Sequence, residues 1–344
     1  MKQKIVFLTS FFIFGYTLQA QQIYKRVLKL MGSRYEIVVV ADNQKQGNQY
    51  IDLAVNEIRR IEKIISSWDP NSETSAINRN AGIKPIKVSR ELFDLISRAK
   101  KISEITDGAF DISYASMDRI WHFDGSMKQL PSPEAIKKSV AKVGYQNIIL
   151  DPKNQTVFLK LKGMKIGFGA IGKGYSADKA KQLLISKGVK AGIINASGDM
   201  NTWGTQPNGQ KWQIGITNPL HKNTVFATFP LTDEAVVTSG NYEKYVIFNG
   251  KRYTHIIDPR TGYPASGIIS ATVFAPSAEL ADALATSIFV MGTEIGLDRI
   301  NQLPGVECVI VDDQDKIHTS KGIHIKKYLT KKYKNKIHEK AIDN

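Results

Sequence analysis

From Asn147 onward the sequence is a succession of short apolar runs parted by hairpin signals, with only two stretches of helical period among them. Runs at 148–150 and 156–161 flank Asp151-Pro152-Lys153-Asn154, which predicts a hairpin. Further strands are predicted at 191–194, 212–217, 224–231, 235–238, 245–248, 268–274 and 306–311. The two helical stretches are 175–187, closed by Gly188, and 278–291, with Ser277 as its cap. Before Asn147 the balance is reversed. A pair of strands is predicted around Met31-Gly32-Ser33. Helices follow at 48–67, at 89–106 behind Ser89, and at 131–143. Strand and helix do not alternate regularly, which argues against a doubly wound sheet. The expectation is an α+β fold, an antiparallel or mixed sheet with flanking helices. No linker or repeat divides it, so 21–325 reads as a single compact domain.

The two ends have a different character. Lys2 and Lys4 precede an apolar run from Ile5 to Tyr16, and Ala20 closes a short polar stretch, as in a secretory signal peptide over 1–20. The run is shorter than the roughly 20 residues of a membrane span. The expected location is therefore the periplasm or the outer face of a bacterial inner membrane. The net charge of +15 is uneven, with seven lysines crowded at 326–344, a Lys-rich tail. A solvated tail and weak contact with anionic lipid or an acidic partner are both open readings. No nucleic-acid recognition motif accompanies the charge. The single cysteine, Cys308, excludes an intrachain disulfide and any cysteine-based metal site.

Chemistry-bearing residues gather in three places. Gly167-Phe168-Gly169-Ala170-Ile171-Gly172-Lys173-Gly174 approaches a P-loop, but Gly174 stands where a hydroxyl would bind magnesium. The segment still suits a phosphate, through its backbone N–H groups and Lys173; a tight strand-to-helix turn is the plainer alternative. His255-Ile256-Ile257-Asp258-Pro259-Arg260-Thr261-Gly262 offers an imidazole and a carboxylate beside a turn. Asp282 and Thr286 are four apart on a predicted helix, so both can face one hard cation. From the residues alone, Asp282 as a helix-surface acid and Thr286 as a buried hydroxyl bonded to its own backbone is the favoured reading of that pair.

These segments, in this order, closely resemble the ApbE family of FAD:protein FMN transferases. Met31-Gly32-Ser33, the run from Trp68 to Ser75, Asp107-Gly108-Ala109-Phe110-Asp111, Gly172-Lys173-Gly174-Tyr175, Asn195-Ala196-Ser197-Gly198-Asp199, the His255 segment and Ala281-Asp282-Ala283-Leu284-Ala285-Thr286 all have counterparts. One position departs: Gly167 stands where the family usually has an Asp that contacts FAD. The resemblance implies FAD contacts at Met31, Trp68, Ala109, Phe110, Asp111, Lys173, Ile257 and the Gly167 position. It implies Mg²⁺ held by the Ala170 carbonyl, Asp282 and Thr286.

The implied activity is Mg²⁺-dependent transfer of FMN from FAD to a Thr or Ser hydroxyl of a partner protein, with release of AMP. His255, Asp258 and Lys173 are the catalytic candidates, His255 being favoured as base. The implied partner is an exported or membrane-bound redox subunit. An FAD pyrophosphatase and a non-catalytic flavin carrier remain alternatives. The chain has no Asp-Gly-x-Thr-Gly-Ala-Thr-like segment of its own, so it is expected to modify other proteins.

Overall fold

The computed structural model describes residues 21–218, 221–240 and 245–330; the expected leader lies outside them. Strands β1 (Gln22–Leu30) and β2 (Ser33–Ala41) form a hairpin closed by Met31 and Gly32, both at positive φ. Such a turn matches the strand twist but is strained for a residue with a long side chain. Helices α1 (Gln44–Ile65), α2 (Glu73–Arg79) and α3 (Arg90–Ile105) follow, with the short strand β3 (Ile86–Lys87) before α3. Next come α4 (Pro133–Ser139), β4 (Ile148–Asp151), β5 (Thr156–Leu159) and α5 (Gly172–Ser186). The rest is β6 (Gly192–Ala196), β7 (Asp199–Trp203), β8 (Trp212–Asn218), β9 (His221–Leu231), β10 (Ala235–Gly240), β11 (Tyr245–Phe248), β12 (Lys251–Thr254), β13 (Ile268–Ala275), α6 (Ala278–Met291), α7 (Thr293–Asn301), β14 (Glu307–Asp312) and β15 (Ile317–Thr319).

Eight strands make one sheet in the order β1-β2-β6-β7-β10-β13-β14-β15, and its neighbours pair antiparallel. Both faces are covered, which explains why β2 reads as a continuous apolar run and not as an alternation. Ile37 and Val39 pack with Ile51, Val55 and Ile58 of α1 and with α5; Val38 and Val40 pack against the β8–β9 hairpin. Farther along, β13 and β14 bury Val273, Cys308 and Ile310 against Leu284 and Ile288 of α6. A separate core joins α2 and α3 to the small sheet β3-β5-β4 and to Ile166, Phe168 and Ile171 of the Gly-rich loop. The loop is thereby anchored in this core of a single α+β domain.

Two differences from the sequence reading bear on the site. Helix α5 begins at Gly172, three residues before the expected start, so Lys173 sits in its first turn. The chain is also packed past residue 325. Tyr328 stacks on Phe229 with ring centroids 4.2 Å apart, and Leu329 bridges to Ala227 and is buried. The first residues assigned to the tail thus belong to the domain, and the remainder of the tail lies outside the described residues.

Candidate functional site

Two helices meet at their N-termini and carry most of the polar groups. On α6, Ser277 accepts from the Leu280 N–H at 3.3 Å, the cap expected from sequence. A second acceptor comes from α5. Asp178, only 6% exposed, takes the Ala278 and Glu279 N–H groups at 2.8 and 2.9 Å and accepts from the Asn201 amide of β7. Its pKa is pushed up to about 6 by burial, which outweighs those N–H bonds. Gly174 brings the helices closer still: its N–H donates to Asp282 at 3.1 Å.

This junction faces a cavity of about 490 Å³ lined by Ala109, Phe110, Asp111, Ala170, Lys173, Ser197, Asp199, Ser239, His255, Ile257, Asp282 and Thr286, among others. Lys173 donates to Asp199, which closes the β6–β7 hairpin. Asp199 and Asp282 are 2% and 3% exposed. Burial raises both carboxyls above their usual range; Asp282 adds to the rise of Asp199, and Lys173 opposes it in each. Burial disfavours the charge on Lys173, but Asp282 and Asp199 prevail and hold the ammonium above its ordinary range. Two buried carboxyls around one ammonium are thus held toward their neutral forms, and a bound cation would drive them to the charged form. The Thr286 hydroxyl lies 3.4 Å from that of Ser239.

That composition answers whether a magnesium ion suits the site. Among the described residues no group of three or more His, Cys, Asp or Glu is placed to hold a metal. A cation would need hydroxyl and backbone oxygens as well. Asp282, Thr286 and the Ala170 segment line one cavity and supply oxygen donors only, the ligand chemistry a hard divalent ion takes. The residues fit a hard cation.

A second cavity of about 980 Å³ adjoins the first, sharing Tyr114, Gly169, His255 and Ile257. Its outer wall holds Trp68, 78% exposed, with the Arg119 guanidinium 4.9 Å from the centre of its ring.

Most of the residues named from sequence are brought together here, but three are not. Met31 lies outside both cavity linings, packed between two cores, with its sulfur accepting from the buried Tyr35 hydroxyl at 3.2 Å. Gly167 is buried behind the loop, its N–H donating to Ile112. Asp258 is absent from both linings, and its carboxylate is engaged by Arg260 at 2.9 Å through both Nε and Nη2. The geometry therefore does not support Asp258 as a base. Asp111 does line the cavity, but its oxygens accept from Ser113 N and Tyr145 N, each at 2.7 Å, so it shapes the loop. Asp199 was named from sequence only as the end of the Asn195 segment, without a role of its own, and Tyr114 and Arg119 were not singled out. For Asp199 there was a signal, a carboxylate directly after a Ser-Gly turn; for the other two there was none.

The profile of the ApbE family matches residues 31–310. A Klebsiella pneumoniae (strain 342) protein named FAD:protein FMN transferase is 30% identical over 292 residues, 84% of this chain and 89% of its own length. One of the same name from Treponema pallidum (strain Nichols) is 31% identical over 281 residues, 77% of this chain and 78% of its own. The crystal structure of the ApbE protein of Thermotoga maritima superposes with a TM-score of 0.79 at 34% identity, covering 88% of this chain and 98% of that one. The flavin transferase ApbE of Vibrio cholerae gives 0.77 at 25% identity, covering 90% and 100%. With sequence and architecture matching over most of its length, this chain belongs to the ApbE family.

Proposed function

We propose that this chain is an FAD:protein FMN transferase that works outside the cytoplasm, moving the FMN half of FAD onto a Thr or Ser hydroxyl of an exported or membrane-bound partner protein. The relatives' names support the reaction class. The observation that carries the reading to this chain is the shared cavity lining of His255, Lys173, Asp282 and Thr286.

In the reaction the acceptor oxygen attacks the FMN-side phosphorus of the pyrophosphate. The bond from that phosphorus to the bridging oxygen breaks, AMP leaves, and the hydroxyl proton passes to His255. Lys173 stabilises charge that grows on the phosphoryl oxygens, and its link to Asp199 fixes the ammonium in place. A magnesium ion held by Asp282, Thr286 and the Ala170 carbonyl would neutralise the pyrophosphate. Trp68 offers an exposed aromatic face for the flavin at the outer wall.

The test is incubation with FAD, Mg²⁺ and a protein bearing an exposed Asp-Gly-x-Thr-Gly-Ala-Thr segment, followed by a denaturing gel read by flavin fluorescence. A fluorescent acceptor band, lost with EDTA and in His255→Ala, is the expected result. FMN and AMP without a band would make the chain a pyrophosphatase. Bound, unaltered FAD would make it a carrier.

A further inference from the structure

Gly169 leaves room for one hydroxyl where the cavities join. A Cβ on Gly169 would collide with the Tyr114 Oη, and one on Gly167 would lie 3.9 Å from the same atom. The phenol thus fills space that a side chain at 169 would take, two residues from the position where the resemblance has an acid. Tyr114 is 38% exposed and belongs to both linings. Of the four shared residues, only Tyr114 and His255 have side chains that can hydrogen-bond. The Tyr114 oxygen lies close against the Gly169 backbone, and its hydroxyl has a proton to donate to a ligand. Burial, with the charge of Asp282, holds the phenol above its ordinary range, so it stays a donor.

The surroundings say what that donor meets. On one side lie Lys173, Asp282 and Thr286, suited to phosphates; on the other lies the open indole of Trp68. A dinucleotide with its charged centre in the first cavity and a ring in the second passes its sugar hydroxyls through the waist between them.

We propose that the Tyr114 hydroxyl is a specificity contact of the nucleotide site, donating a hydrogen bond to a sugar hydroxyl of the bound dinucleotide. This rests on the FAD reading above. The sugar is either the ribityl chain or the adenosine ribose, and both present the same hydroxyl chemistry.

The test is titration of the full chain and its Tyr114→Phe variant with FAD, FMN and ADP, followed by flavin fluorescence or calorimetry. Tyr114→Phe keeps the ring and should weaken FAD roughly fivefold to tenfold, the range of one neutral hydrogen bond. A parallel loss for FMN with ADP unchanged identifies the ribityl chain; the reverse identifies the ribose. Gly169→Ala, which pushes the hydroxyl aside without removing it, should reproduce the loss and serves if the Phe variant does not fold. Unchanged FAD affinity in both variants overturns the contact while leaving the FAD site standing. No FAD binding by the unaltered chain overturns the nucleotide reading and the contact together.

Discussion

Gly174 of α5 lies directly against Ala278 of α6: a Cβ at 174 would collide with the Ala278 carbonyl oxygen and come within 2.9 Å of the Asp282 Cβ. The obstacle is backbone, so it cannot swing aside. Gly174→Ala should therefore part the two helices. Overpacking of this kind costs about 3 kcal/mol, read as a lower midpoint in denaturant unfolding, and FAD binding should weaken with it. An unchanged midpoint would mean the junction is looser than described.

Asp178 joins the same helices by hydrogen bonds, and its titration gives a second expectation. Its pKa of about 6 in the folded chain is above the ordinary carboxylate value. The folded state therefore binds that proton more tightly than the unfolded state. The resulting stability is fully present below about pH 4 and is lost as pH rises through about 6. Relative to Asp178→Asn, which cannot titrate, the unaltered chain should gain stability as pH falls from about 6.5 to about 4. Thermal melts of both proteins across that range would show it, and a constant difference would contradict it.

Lys173 stands between two buried carboxylates, so removing it should cost more than a contact. Lys173→Met should destabilise by about 3–5 kcal/mol, because Asp199 and Asp282 are left uncompensated. Adding Asp199→Asn should restore much of that stability and none of the transfer activity. A double-mutant cycle with both readouts checks the two halves separately. Full additivity in stability would show the pair to be uncoupled.

His255 and Asp258 are close in sequence and separate in role. His255→Ala should lower transfer at least about a hundredfold, as expected for a lost general base. Asp258→Asn should lower it by no more than about fivefold, since the carboxylate holds Arg260 at the rim. Single-turnover rates at saturating FAD distinguish them. A larger loss at Asp258 would restore it as a base.

How far the sequence carried the reading depended on the range of the interaction concerned. Helix α6 was legible because Ser277 and the apolar period are both local signals. The Met31-Gly32 turn was legible for the same reason. The short helices α2 and α7 and the strand β7, polar at its start, gave too weak a period to be seen. Arg260 folding back on Asp258 could not be seen in the sequence, where the carboxylate reads simply as a base candidate. The partnership of Lys173 with Asp199 spans 26 residues and exists only after β7 has joined the sheet. Tyr114 gave no signal, since its place depends on what Gly169 lacks.

The direct seating of α5 on α6 has a further consequence, for motion. Lys173, Asp282 and Thr286 ride on one block whose parts cannot slide past each other, while His255 sits across the cavity after β12, in the turn leading to Gly262. Breathing that admits a bulky chain is therefore expected of the walls outside this block, the His255 turn among them. In hydrogen exchange the amides at 255–264 should open far more readily than those of the first turn of α6. The cavity is then a vice with one fixed jaw.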